Sequence, residues 1–139
     1  MDDVLRSLEE HFEKEPYARL LGIQLEELEE GRALVKMSLS ADNNNIFGAT
    51  HGGAIFSLMD AAFELTVNSH GTIAVALNVS INYINPVSAG ETIYAEGREV
   101  SKSNRIATCK IEVKGEDGRI IATCQAMAYR KKDKLPFLQ

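Results

Sequence analysis

The chain has 139 residues, 45% of them hydrophobic and 25% charged, with a formal net charge of −5. That length supports one domain over residues 1–139, with a core that needs neither disulfides nor metal. The acidic balance excludes a general nucleic-acid binder, which would need a basic face, but leaves room for an anionic small ligand held by a local basic cluster.

The opening stretch MDDVLRSLEEHFEKEP lacks the basic start and apolar run of a signal peptide. No apolar run approaches the ~20 residues of a membrane span. The expected location is therefore cytoplasmic, with no membrane partner. Residues 2–15 read as an amphipathic helix with Val4, Leu5, Leu8 and Phe12 on one stripe, stopped by Pro16. LGIQLEELEEGRALVKMSLS gives two short strands around Glu30-Gly31, with Ala33, Val35, Met37 and Leu39 alternating in the second. ADNNNIFGAT is a loop.

A helix then runs from about Gly53 to Asn68, ended near Gly71. Its apolar residues point in every direction, so most of its faces must be covered. From Thr72 the period changes to two. TIAVALNVSINYINP alternates Ile73, Val75, Leu77, Val79, Ile81 and Tyr83 against a side carrying Asn78 and Asn82, expected to be exposed or in subunit contacts. Three more strands follow, in ETIYAEGREVS, RIATCKIEVKG and GRIIATCQAMAYRKK.

The last two strands form a hairpin, and Asp117-Gly118 predicts a two-residue type I′ turn with Glu116 opposite Arg119. That register sets Ile111 opposite Cys124 and Val113 opposite Ala122, leaving Cys109 and Cys124 out of step as buried thiols rather than a disulfide. His11, His51 and His70 lack ligand spacing, so no metal site is expected. The order of elements gives an α+β fold with one antiparallel sheet.

The segment NNNIFGATHGGAIFSLMDAAFEL holds the candidate chemistry. Gly52 and Gly53 open a helix, where free N–H groups favour negative charge and the missing side chains let a carbonyl approach. Such a site would stabilise an oxyanion; an ordinary flexible turn would read the same way. Ser57, Asp60 and Glu64 share one narrow stripe at i, i+3 and i+7, the only wet side of the helix, facing either solvent or a cleft. Within a cleft, repulsion between Asp60 and Glu64 would raise one pKa. Asn45 and His51 lie in the approach loop, where turn and capping roles are the ordinary ones.

Taken together, N-x5-HGG-x2-FSL-x-D-A-A and the downstream INYINPVSAGETIYAEG resemble the signature of hotdog-fold acyl-CoA thioesterases of the phenylacetate-pathway (PaaI-type) group. The similarity extends from about Tyr17 to Arg130. It implies a long curved antiparallel sheet wrapped around the central helix. It also implies a homodimer with active sites between subunits, often paired again into a homotetramer.

By position, the resemblance makes Asp60 the general base or nucleophile and Gly53 N–H the group that polarises the thioester carbonyl. Asn45 would place water or substrate, and His51 would orient the loop or touch the carbonyl. Gly52 and Glu64 would border the substrate. Ala76 stands where some members carry a serine, and Glu91 replaces a common aspartate. No cofactor is required, since coenzyme A is part of the substrate. Its phosphates need local cations, for which Lys102, Arg105 and the run Arg130 to Lys134 are candidates. Two rivals share the fold: an enoyl-CoA hydratase or dehydratase, whose D-x-N-P-I-H-like motif is missing here, and a non-catalytic acyl-CoA-binding module, which would not need an acid at position 60.

Overall fold

The computed structural model describes residues 2–138. Helix α1 (Asp3–Glu13) is capped by Asp2, whose carboxylate accepts from Leu5 N–H at 2.8 Å, and it buries Leu5, Leu8 and Phe12. Pro16 ends the expected helix but also opens a second, α2 (Pro16–Leu21), because a first-turn position needs no N–H donor. Gly22, at φ 72°, closes α2 in the left-handed region.

Strands β1 (Gln24–Glu29) and β2 (Arg32–Ser38) flank Glu30-Gly31, and Ala33, Val35 and Met37 are fully buried. After α3 (Gly52–Asn68) come β3 (Thr72–Tyr83), β4 (Thr92–Lys102), β5 (Ile106–Gly115) and β6 (Ile120–Lys134). The six strands form one antiparallel sheet in the order β1-β2-β4-β5-β6-β3. It wraps α3, which packs against β2, β3, β4 and β5. This is the hotdog architecture.

Gly97 on β4 is where helix and sheet come closest. A Cβ there would lie 2.5 Å from Thr66 Oγ1 and 3.2 Å from Ala62 O, so only glycine fits without moving α3. At the helix end, His70 sits between Glu30 (2.8 Å) and Glu99 (2.9 Å), tying α3 to the β1–β2 turn and to β4. Segment 135–138 folds back onto α1. Leu135 N–H donates to Gly71 O at 3.0 Å, and the Phe137 ring stacks on His11 at 3.9 Å.

Two expectations need correction. The β5–β6 hairpin keeps Ile111 opposite Cys124 and Val113 opposite Ala122, but its turn is not type I′. Asp117 has negative φ, Gly118 N–H donates to Gly115 O, and Gly115 N–H donates to Arg119 O. The turn therefore centres on Glu116-Asp117 with Gly118 left-handed (φ 84°), and Gly115 rather than Glu116 faces Arg119. The second correction concerns β3. Asn78 and Asn82 are exposed as expected, but so are Val75 (43%) and Leu77 (56%). A bulge between Ala76 and Asn78 breaks the alternation, and β3 is an edge strand with one side unpaired. Cys109 and Cys124 are buried and free; burial pushes their thiols up to about 12 and about 11.

Candidate active site

The loop before α3 is built from its own polar side chains. Ser40 and Asn43 form a capping box around the single 3-10 turn Ala41–Asn43, and Asn43 O accepts from His51 N–H at 2.7 Å. Asn45 Oδ1 accepts from Phe47 N–H (2.9 Å) and Ala49 N–H (3.1 Å). Its oxygen therefore holds the loop, and the side-chain amide Nδ2 is the group left to present. The loop tip carries Ile46 and Phe47, 93% and 85% exposed.

His51 is the N-cap of α3, and its Nδ1 accepts from Gly53 N–H at 2.7 Å. A backbone N–H only donates, so Nδ1 is bare and a neutral ring carries its proton on Nε2. Gly53 N–H, the expected oxyanion donor, is thus already engaged within the chain. Gly52 N–H has no acceptor among the described residues. Tyr83 closes over Gly52, donating from its hydroxyl to Gly52 O at 3.1 Å; a Cβ on Gly52 would meet the ring at 3.3 Å.

Further along α3, the stripe expected to be wet is wet, and it lines a cleft. Ser57 Oγ donates to Gly53 O (2.8 Å) and is 2.9 Å from Tyr17 OH, which must then be the donor in that pair. Tyr17 on α2 thus bridges the groove. One recess of about 280 Å³ lies on the His51–Gly53 side of it, and one of about 400 Å³ on the Asp60 side, floored by Asp60 and Glu64 and walled by Glu15 and Phe56. Other hollows, one at β1 around Gln24 and Lys36 and one on the sheet around Ser80 and Gln125, contain no α3 residue.

Asp60 and Glu64 are solvent-accessible by surface area, yet the concave surroundings strip much of their hydration. Desolvation, then the charge of Glu15, raises the Asp60 pKa. Desolvation, a hydrogen bond with Glu15, and the charges of Glu15 and Asp60 push Glu64 up to about 8. Glu15 and Tyr17 carried no signal in the sequence. They reach the groove only because the chain turns at Pro16, and helical periodicity does not show where two short helices fold back.

One chain does not bring all the candidates together. Asn45, His51, Gly52 and Gly53 gather at the start of α3, while Asp60 and Glu64 lie beyond the Tyr17–Ser57 bridge. Arg105 is far from the α3 start. Arg105 Nη1 donates to Tyr129 OH at 2.7 Å, and Tyr129 is opposite Val75, whereas Gly52 lies under Tyr83. Eight residues of β3 separate those points, ~26 Å at strand rise. Glu91, at the position where a departure was noted, is structural: its Oε2 accepts from Ser88 N–H at 2.8 Å and closes the β3–β4 turn. Among the described residues, no group of three or more His, Cys, Asp or Glu side chains converges to hold a metal, and no helix is long and apolar enough to cross a membrane.

The family model "Thioesterase superfamily" matches residues 47–122. A protein from Archaeoglobus fulgidus is 40% identical over 84% of this chain and 76% of its own length. Acyl-coenzyme A thioesterase PaaI of Escherichia coli is 31% identical over 86% of this chain and 85% of its own. The solved structure of E. coli PaaI superposes with a TM-score of 0.89, at 28% identity, covering 95% and 99% of the two chains. The protein smu.793 of Streptococcus mutans UA159, solved bound to acetyl CoA, superposes with a TM-score of 0.78 at 26% identity, covering 81% and 91%.

Proposed function

This chain belongs to the thioesterase superfamily, in its PaaI-like hotdog branch, and on that premise we propose that it hydrolyses acyl-coenzyme A thioesters to the free acid and coenzyme A. The observation that carries the reading is Asp60, a carboxylate of raised basicity on a mostly apolar helix, set in a recess with room for water and an acyl group. The names of two relatives, a coenzyme A thioesterase and a protein bound to acetyl CoA, support the substrate class.

In this mechanism Asp60 takes a proton from the attacking water and returns it to the coenzyme A sulfur as the C–S bond breaks. Glu64, pushed up to about 8 with its proton shared with Glu15, does not compete for that role and borders the substrate. Two carboxyls both pushed up, with the large shift at Glu64, fit a base beside a neighbour that keeps its proton. The thioester oxygen replaces His51 Nδ1 as acceptor of Gly53 N–H when the imidazole turns aside, and Gly52 N–H adds a second donor. His51 then orients the loop, and Asn45 Nδ2 holds the water or the carbonyl.

The working site is shared in a homodimer. Two chains pair through the open β3 edge, where Val75, Leu77 and Tyr83 are exposed, and further pairing makes a tetramer. A two-fold arrangement also carries Lys102 and Arg105 of one chain toward the α3 start of the other, where coenzyme A phosphates need cations.

The test is thiol release from acetyl-, octanoyl-, phenylacetyl- and palmitoyl-CoA by wild type and Asp60→Ala. Release by the wild type that the variant loses supports the reading; no release from any ester overturns it. After a single turnover in ¹⁸O-water, label appearing in Asp60 would make it the nucleophile.

A further inference from the structure

We infer that the acyl portion of the substrate is received in an apolar cavity between α1, the C-terminal half of α3 and segment 135–137, entered from the Asp60 recess past Glu15 and Glu64. The inference rests on the thioesterase reading and adds to it a pocket and a class of acyl group.

The cavity holds about 310 Å³ and is walled by Leu8, Phe12, Leu65, Ile73, Leu135 and Phe137. Glu15 and Glu64 line both this cavity and the Asp60 recess, so this hydrogen-bonded pair of carboxyls stands between the two hollows and parts to admit a guest. Beyond that mouth the wall offers a ligand almost no polar group. The Asn68 amide is spent inside the protein: Nδ2 donates to Glu64 O (2.8 Å) and Ala74 O (3.2 Å), and Oδ1 accepts from Ala74 N–H (2.9 Å). His11 Nδ1 bonds Ser7 O at 2.9 Å, and its ring face is covered by Phe137. A guest held there is therefore hydrocarbon, not sugar, phosphate or peptide.

Size and reach narrow the class. A dry cavity of about 150 Å³ already takes a benzene ring, so this one has room for a substituted aromatic ring or a chain of roughly six to ten carbons. From Asp60 to Asn68, eight residues of helix cover ~12 Å. An acetyl group reacting at Asp60 stops short of the mouth, while an octanoyl or phenylacetyl group passes through it. The roof comes from α1 and segment 135–137, joined by the His11–Phe137 stack, so part of the wall lies outside the residues 47–122 that the family model matches and part, Leu65 and Ile73, lies within them.

Two variants test this without touching the proposed catalytic groups. Ile73→Trp fills the cavity and Phe137→Ala unroofs it. With Ile73→Trp, kcat/KM for octanoyl- and phenylacetyl-CoA should fall at least ~10-fold while acetyl-CoA stays within ~2-fold, a split that a loss of folded protein cannot produce. Phe137→Ala should shift preference toward longer chains. Equal losses across the series, or unchanged selectivity in both variants, would overturn the pocket.

A second measurement uses the wild type alone: octanoate titration followed by methyl NMR should move Ile73, Leu8 and Leu135. Unmoved methyls at saturating octanoate would also overturn it. If no ester is hydrolysed but these methyls shift, the thioesterase reading fails and the pocket stands.

Discussion

Asp60 and Glu64 are one helical turn apart, and their surroundings push both toward the protonated form, with the large shift at Glu64. Glu64 faces Glu15 and Asp60 in a desolvated cleft, so it keeps its proton to about 8. Its folded pKa lies above its ordinary 4.5, so between those values the folded state binds more protons than the unfolded one. Its contribution to stability is full below pH 4.5 and is lost as pH rises through about 8. Thermal melts should therefore show Tm falling from pH 5 to pH 8.5, and Glu64→Gln should flatten that slope. A slope unchanged in the variant would assign it elsewhere. For Asp60, the expected result is kinetic: Asp60→Asn should lower hydrolysis ~10²–10⁴-fold with the fold intact, the usual range for a lost general base. Near-normal kcat in Asp60→Asn, with activity lost in Glu64→Gln, would identify the other acid. The stripe that holds both was legible because helical spacing alone sets Ser57, Asp60 and Glu64 in line. Glu15 was not, because no local pattern records what folds onto a helix from 49 residues upstream.

The elements that could be read were those whose period matches their burial. β2 alternates and buries Ala33, Val35 and Met37; α3 is apolar nearly all round and is covered nearly all round. Reading failed where one residue type serves two purposes. Pro16 both ends α1 and begins α2, and Asp117-Gly118 fits a type I′ turn as well as the turn that formed. The sequence also held no sign that Gly97 governs how closely α3 lies on β4, since the limit comes from Thr66 and Ala62 across the layer. Gly97→Ala should destabilise the fold by about 1–3 kcal/mol, the usual cost of overpacking, measured as a lower denaturation midpoint. Adding Thr66→Ala should recover part of that loss, because the 2.5 Å contact is with the threonine hydroxyl. Full stability in Gly97→Ala alone would mean the helix shifts freely, against the close packing described. At the site, Gly52 and Gly53 open α3 as expected, but the sequence could not show that His51 occupies the Gly53 N–H.

For the whole molecule, the open question of architecture is whether Gly53 and Asp60 act from one chain or two. They are seven residues apart, ~10 Å along the helix axis, and the Tyr17–Ser57 bridge stands between their recesses. A reacting carbonyl should lie about 3 Å from its donor with the base or its water equally near the carbon, which one chain in this conformation does not provide. Two α3 helices antiparallel across a two-fold axis would do so, each presenting its Gly53 end to the other's Asp60. The exposed apolar residues along β3 and the loop tip at Ile46 and Phe47 would be covered in the same assembly. Mixing an inactive Asp60→Ala chain with an inactive Gly53→Val chain decides the matter. In Gly53→Val the new Cβ lies 3.0 Å from His51 Nδ1, so the branched side chain both blocks the donor and dislodges the cap; Gly53→Ala is the milder alternative if the valine variant folds poorly. In a shared site, each heterodimer has one site with both lesions and one with neither, so activity should return toward half per heterodimer. No recovery, with exchange confirmed by native mass spectrometry, would place both groups in the same chain and require the Tyr17–Ser57 bridge to open during turnover.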